Sequence, residues 1–445
     1  MTGALFLAAF LGLPLVGAAP ILSRRWSWLP FGGAIASAAA VGAAVLCAEM
    51  LVLTIVDVRW TLWLLLVPPA VGIALALRHG PMPRARTESR VEVRMTPVSI
   101  GLLAVACVAV ATVAYAALTA RVTSSDLLLF WGAKGEHFGL TGRIDAEFLG
   151  RPDHGYLHSD YPPLWPCLYA FATMLAGRFA WGASLGTLPF FLGLATVVVW
   201  SFGRRRLGSL EAAAFAASFA GLFGFLLSDG LTAGNADPPL LFLETLALCL
   251  LVFAREESGA FLLAGIALAA AAWLKLEGIA FGWAVIAAAG FTMRPFSVRR
   301  LTWLAAPPLI AYGTWIAFCR AHGLLSTLGT HTWVLTGERF RSIASGMLRV
   351  ASMGSSYRPW LLVALLFVLR RPGRASAFPI VVAAFIAAFD AGFYLSAASD
   401  PTRWIEMAGE RTLVTPLLAL LLAALAPRGA TASAERRGDE GSSRP

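Results

Sequence analysis

Charge is scarce in this chain. Only 13% of its 445 residues are Asp, Glu, Lys or Arg, and its basic residues include just two lysines, Lys134 and Lys275, beside 33 arginines. A sequence this poor in charge cannot cover a globule of its size with polar surface, which excludes an ordinary soluble domain. Cysteine is equally sparse. Cys47, Cys107, Cys167, Cys249 and Cys319 stand singly in apolar segments with neither a CxxC pair nor ligand spacing, so they read as packing residues. No Walker loop or GxGxxG fingerprint occurs, and nothing suggests direct use of ATP or a dinucleotide. No internal repeat is visible. The first apolar run lacks a positive flank before it, so residues 1–22 read as an uncleaved helix and not as a signal peptide.

What remains is hydrocarbon: 58% of the residues are hydrophobic, with 15 tryptophans and a mean hydropathy of +0.73. Apolar runs of roughly 16 to 25 residues match the length of helix that crosses about 30 Å of bilayer. The expected fold is an all-α polytopic membrane protein with about 13 transmembrane helices. These are placed near 3–22, 33–56, 61–77, 97–120, 180–202, 211–227, 238–254, 259–274, 277–293, 301–319, 350–369, 376–397 and 411–427.

Basic residues mark the cytoplasmic side of such a protein. They cluster at Arg24/Arg25, Arg78 to Arg94, Arg204 to Arg206, Arg294 with Arg299/Arg300, Arg370/Arg371/Arg374 and the tail from Arg428. All fall on one side only if YPPLWPCLYAFATMLAG (Tyr161 to Gly177) does not span. Its PPLWP start, Trp165 and Tyr169 suit a juxtamembrane helix at the outer interface. The net charge of +10 then reflects topology and contact with anionic membrane lipids, not nucleic acid. Arginine in place of lysine, with abundant alanine, suggests a GC-rich bacterial genome and hence the bacterial inner membrane.

The expected organisation is an N-terminal group of extra helices with a basic loop (1–96), a core (97–300) with a first outer loop at 121–179, C-terminal helices (301–427) and a disordered tail (428–445). Most of the titratable chemistry lies in that outer loop. Asp126 follows the fourth helix, where a poorly hydrated carboxylate can act as a general base, or where Ser124, Ser125 and Asp126 can cap a helix beginning at Leu127. Lys134 lies about two helical turns on, near Trp131, and reads either as a phosphate partner or as a snorkelling cation. In DHGYLHSD, His158, Asp160 and their neighbours have spacing compatible with a divalent metal such as Mg or Mn, though Gly155 and the following prolines favour a hydrated loop. The next outer loop carries Asp229, Asn235 and Asp237, and Lys275 with Glu277 sits at a hairpin tip inside apolar sequence. Charges so placed need water, a partner or a ligand.

In order, these parts resemble the lipid-dependent GT-C type membrane glycosyltransferases, particularly the bacterial branch similar to protein mannosyltransferases (glycosyltransferase family 39-like). The match runs through Asp126 with a W-x-x-K continuation (Trp131, Lys134), an acidic-Tyr-Pro-Pro-Leu segment (Asp160 to Leu164) and RRRLG (Arg204 to Gly208). It continues through Asp-Pro-Pro-Leu (Asp237 to Leu240) and Lys-x-Glu-Gly (Lys275 to Gly278), covers roughly 121–300, and extends weakly to Arg411. It implies transfer of a sugar from a polyprenyl-phosphate carrier to a lipid, glycan or protein acceptor on the extracytoplasmic face, with inversion. By position, Asp126 matches the catalytic acidic residue, alone here where the eukaryotic mannosyltransferases have an Asp-Glu pair. Lys275 matches a lysine near the donor phosphate. Lys134, Arg411, Trp131 and Tyr161 would join it in binding substrate or phosphate, and Asp160, Asp237 and His158 would be metal ligands in members that use one. A polytopic transporter or lipid flippase is the competing expectation. It would place its ionisable groups nearer mid-bilayer, where Glu49, Glu244 and Asp390 are the only acids deep in expected helices.

Overall fold

The computed structural model describes residues 1–22, 26–78, 95–119, 124–227, 233–257, 259–293, 297–324, 333–352, 357–370, 372–396 and 400–426. Arg24, Arg25, the basic run after Arg78, Asp229, Arg294, Arg371 and the tail from Arg428 lie outside them. The described residues form helices joined by short loops, with no strand. In chain order these are α1 (Thr2–Leu11), α2 (Leu13–Val16), α3 (Ala18–Ile21), α4 (Phe31–Ile55), α5 (Leu62–Arg78) and α6 (Pro97–Thr119). A π-helical turn, Leu127–Trp131, leads into α7 (Gly132–Thr141), α8 (Ala146–Gly150), α9 (Leu164–Ala176), α10 (Trp181–Ser184) and α11 (Thr187–Gly203). Then come α12 (Ser209–Leu226), α13 (Asp237–Phe253), α14 (Ala260–Leu274), α15 (Leu276–Thr292) and α16 (Val298–Ala321). The chain closes with α17 (Gly337–Ser352), α18 (Tyr357–Arg370), α19 (Ala377–Ser396), α20 (Pro401–Thr412) and α21 (Val414–Leu425).

Among the described residues, six segments are long and apolar enough to cross a membrane: α4, α6, Trp181–Gly203, α12, α16 and Arg374–Ser396. A further set of apolar helices, α1, α5, α9, α14, α15 and α21, has 10–17 residues each. The chain is therefore a membrane-embedded helical protein, and several of its expected spans are shorter than the sequence pattern suggested. Its first run is one such case. Breaks at Gly12 and Gly17 divide it into α1, α2 and α3, and it packs tightly on α4. A Cβ on Gly17 would fall 2.0 Å from the Ala38 carbonyl oxygen, and one on Gly42 would fall 2.2 Å from that of Leu13. Only glycine permits two helix backbones to approach so closely.

At the centre stands α13, whose residues Pro238 to Phe253 are all buried. Its two prolines are tolerated because first-turn amides have no partner within the helix. Helices α11, α14 and α21 pack around it. One end of the bundle gathers arginines and their partners: Arg205 to Glu257 at 2.9 Å, Arg370 to Glu211 at 3.2 Å, and Arg206 with Glu256. The starts of α13 and α15 and the end of α20 meet at the opposite end.

Three expectations change in detail. Helix α9 is not an exposed surface helix, because Leu164 to Thr173 are all buried within the protein, between α7, α1 and α4. Its 13 residues amount to about 20 Å of helix. The run expected at 350–369 begins in the last turn of amphipathic α17, and its apolar part is the 14-residue α18. Helix α17 sets Arg339, Arg341 and Arg349 against an apolar face in which Ile343 packs with Tyr394 and Ile405. The last expected span likewise begins later, at Val414, because Arg411 belongs to amphipathic α20. A sliding apolar window merges such pairs, since it registers mean hydropathy and ignores a change of face.

The α14–α15 hairpin turns on a single extended residue, Lys275 (φ −158°, ψ 156°), and then on Gly278, where a Cβ would lie 2.0 Å from the Ala271 carbonyl oxygen. Neither backbone can yield there without displacing the Lys275–Glu277 tip. We expect Gly278→Ala to destabilise the purified protein by about 1–3 kcal/mol. Thermal unfolding in detergent checks this; an unchanged midpoint would show that the hairpin is not held at that contact.

Candidate functional site

Where α13, the α14–α15 hairpin and α20 meet, opposite charges are interlocked. Asp237, the first residue of α13, accepts from Lys275 Nζ at 3.0 Å through Oδ1 and from Arg411 Nη2 at 2.8 Å through Oδ2. Lys275 also contacts Glu277 Oε1 at 2.8 Å, and Arg411 Nη1 reaches Asp126 Oδ2 at 3.2 Å. Asp237 and Lys275 are nearly fully buried, with side chains 11% and 9% exposed. Buried charges of this kind persist only when paired. The amino end of α13 adds its positive dipole end to the attraction on Asp237.

Asp126 is held by a second chain of hydrogen bonds. Ser124 Oγ donates to Asn235 Oδ1 at 2.6 Å, and Asn235 Nδ2 donates to Asp126 Oδ2 at 3.4 Å. Asn235 is fully buried. Its loop is anchored through Gly234, whose carbonyl accepts from Trp165 Nε1 at 3.0 Å and from Tyr169 OH at 2.6 Å. Gly234 itself has φ +81°. The cap expected from Ser124 is present as a bond from Leu127 N at 3.0 Å, whereas the Asp126 side chain caps nothing. The π-helical turn that follows is a rare local form, frequently found at functional sites.

These groups surround a cavity of about 920 Å³. Asp126, Trp131, His158, Tyr161, Asp237, Lys275 and Arg411 all line it. Residues from separate parts of the sequence, expected to act together, are therefore brought together. Away from the charges the walls become apolar, with Ile279, Ala280, Trp283 and Ala287 of α15 facing Phe385, Phe389 and Phe393 of α19. Burial raises the Tyr161 phenol above its ordinary value, assisted by the negative charge of Glu277. Desolvation of the His158 ring and the charge of Lys134 lower that imidazole, favouring its neutral form.

Lys134 and Asp160 stand elsewhere. Neither lines the cavity. Lys134 is 2% exposed, with Nζ 3.8 Å above the centroid of Phe130 and 3.5 Å from the His158 carbonyl oxygen, so it sits behind the wall. Asp160 is buried, and its backbone carbonyl accepts from Trp315 Nε1 at 2.8 Å. Asp160, Asp237 and His158 do not assemble as ligands: among the described residues no group of three or more His, Cys, Asp or Glu side chains is arranged to hold a metal. Both oxygens of Asp237 already face cations. The donors present do not fit a divalent ion there.

Several residues of the site carry only weak signals in the sequence. Thr415 donates to Glu244 at 2.9 Å, and Thr415, Asp390 and Tyr394 line the cavity. An acid within an apolar run was the available clue for Glu244 and Asp390. No protein-family model matches the chain, and neither a curated protein nor a solved structure matches it.

Burial holds the Lys134 ammonium well below its ordinary value, and the nearby Asp160 offsets this only in part. A lysine depressed in the folded state binds its proton more weakly there than in the unfolded chain. Its contribution to stability therefore grows as pH rises from the depressed value towards about 10.4. We expect thermal stability to carry this alkaline rise in the wild type and to lose it in Lys134→Met, measured by unfolding from pH 7 to pH 10. Parallel pH profiles in the two proteins would contradict it.

Proposed function

We propose that the protein is a membrane glycosyltransferase that moves a sugar from a polyprenyl-phosphate carrier to an acceptor hydroxyl. The observation that carries this reading is the meeting of a carboxylate and two cations at the polar end of a cavity whose remaining walls are apolar. A polyprenyl-phosphate sugar has the same sequence of chemistry: a hydrocarbon chain, an anion and a hydroxylated ring.

The two cations are arranged for the phosphate. Lys275 uses two of its three ammonium hydrogens on Asp237 and Glu277, and Arg411 uses two of its five on Asp126 and Asp237, leaving donors for an incoming anion. Fixed in place by Asp237, they need not reorganise when the leaving phosphate gains charge. Asp126 serves as general base. Its Oδ2 is tied to Arg411 and Asn235, while Oδ1 accepts no hydrogen bond among the described residues and can take the acceptor's proton. The acceptor oxygen then bonds to the anomeric carbon, the bond from that carbon to the phosphate oxygen breaks, and its electron pair remains on the phosphate. Attack opposite the leaving group inverts the anomeric centre.

In this reading the GT-C-like bundle has about 13 spans in the bacterial inner membrane, with the arginine end cytoplasmic and the site facing outward. The transporter reading has less support, because Asp237, Lys275 and Arg411 lie at helix ends and not at breaks near mid-helix.

Transfer of radiolabelled sugar from polyprenyl phosphate in membranes tests the proposal. We expect Asp126→Asn to lower transfer by about 10²- to 10⁴-fold, the usual contribution of a general base. Arg411→Ala should weaken binding of bare polyprenyl phosphate as well as transfer. Full activity in Asp126→Asn would remove that residue from the mechanism, and absence of any transfer by the wild type across a panel of carriers and acceptors would remove the function.

A further inference from the structure

The two flanks of α19 differ in a way the phosphate site does not explain. Phe385, Phe389 and Phe393 form one stripe at four-residue spacing and are 39%, 44% and 36% exposed. Ile386, Asp390 and Tyr394 form the adjacent stripe and are 4%, 6% and 2% exposed. Both stripes line the same cavity, so it has an aromatic lip and a buried inner wall. On α15, Trp283 is 52% exposed and belongs with the lip, whereas Ala280 and Ala284 are buried and face inward.

The inner wall holds polar atoms in want of donors. Asp390 Oδ2 is buried and accepts no hydrogen bond among the described residues, and the same is true of Glu277 Oε2, whose other oxygen pairs with Lys275. The Tyr394 hydroxyl lies one helical turn from Asp390, beside Thr412. Asp390 is within electrostatic range of both Glu277 and Lys275, so this wall adjoins the phosphate site. Leaving a buried acceptor unmet is costly, and such atoms in a cavity wall point to a ligand that supplies the missing donors.

The chemistry of the wall selects among donors. A further cation bound here would meet Lys275, 2.8 Å from Glu277, with Arg411 beyond it. A neutral group with several hydroxyls satisfies the carboxylates without that repulsion, and its C–H faces can lie against Tyr161, Ala280 and Ile386 in the same cavity. The aromatic lip, open on its outer side, suits the hydrocarbon chain instead.

We propose that Asp390, Glu277 and Tyr394 form a subsite that recognises the hydroxyls of the donor's sugar, with Asp390 as a specificity-determining residue. This rests on the glycosyl-transfer reading. It assigns the sugar to the inner wall, the phosphate to Lys275 and Arg411, and the prenyl chain to the lip.

Binding measurements separate the two ideas. The full-length protein in lipid nanodiscs is titrated with undecaprenyl phosphate and with undecaprenyl phosphate bearing glucose, mannose, galactose or arabinose. We expect the wild type to bind at least one sugar-bearing carrier about tenfold or more tightly than the bare carrier, as hydrogen bonds to charged acceptors allow. Asp390→Asn should reduce that ratio to within about threefold while leaving affinity for the bare carrier unchanged. A wild type that binds bare carrier with no preference for any sugar overturns the subsite alone. A wild type that binds no carrier overturns the glycosyl-transfer reading and the subsite with it. An unchanged ratio in Asp390→Asn also overturns the subsite. Should that variant lose affinity for the bare carrier, the ratio is read in Tyr394→Phe, where a wild-type ratio counts against the proposal and a ratio reduced about threefold or more supports it.

Discussion

Two cations on one buried carboxylate fix the geometry of the site. Asp237 begins the central helix, Lys275 is the one extended residue between two short helices, and Arg411 lies in the last turn of an amphipathic helix. None of the three could be buried among apolar side chains alone, because an unpaired ion in low dielectric loses several kcal/mol of solvation. Their mutual satisfaction sets the height of α13 against the hairpin and brings α20 over both. Asp126 joins the group only because Arg411 has a second nitrogen to offer and Asn235 is locked behind it.

This interlock also explains what could and could not be read in the sequence. The Asp-Pro-Pro start of α13 and the Lys-x-Glu-Gly tip were legible, since proline and glycine in those places mark helix starts and tight turns. The convergence on Asp126 and Asp237 of an arginine 285 and 174 residues away was not a local signal. An isolated charge in an apolar run announces that it needs a partner without naming it. Hydropathy likewise cannot distinguish a helix buried against protein from one bathed in lipid, which is why α9 looked like a surface helix and is a core one. Lys134 shows the same limit: in sequence it resembles a residue at an interface, but Phe130 and Trp131 enclose it.

The site is also unusual in how it divides labour between neighbouring turns. On α19 a shift of one residue along the chain separates a stripe facing the protein interior from one facing outward, so a single helix presents acceptors on one side and aromatic rings on the other. On α15 the same division places Ala280 and Ala284 inward and Trp283 outward. Small inward residues leave the volume of the cavity free, and large outward ones rim it. The polar end is cross-linked by contrast, with Asp126, Asp237, Lys275, Glu277 and Arg411 each tied to at least one partner on another element or on the hairpin tip.

The partly exposed ring of Trp283, Phe385, Phe389 and Phe393 means that the cavity meets its surroundings sideways as well as at its charged end. In the glycosyl-transfer reading that side faces lipid and a carrier arriving there travels in two dimensions, so its abundance is a mole fraction among lipids and not a molarity in water. Occupancy would then change when lipid or detergent is added at constant amounts of protein and ligand, and comparisons between preparations hold only at matched ratios of amphiphile to protein.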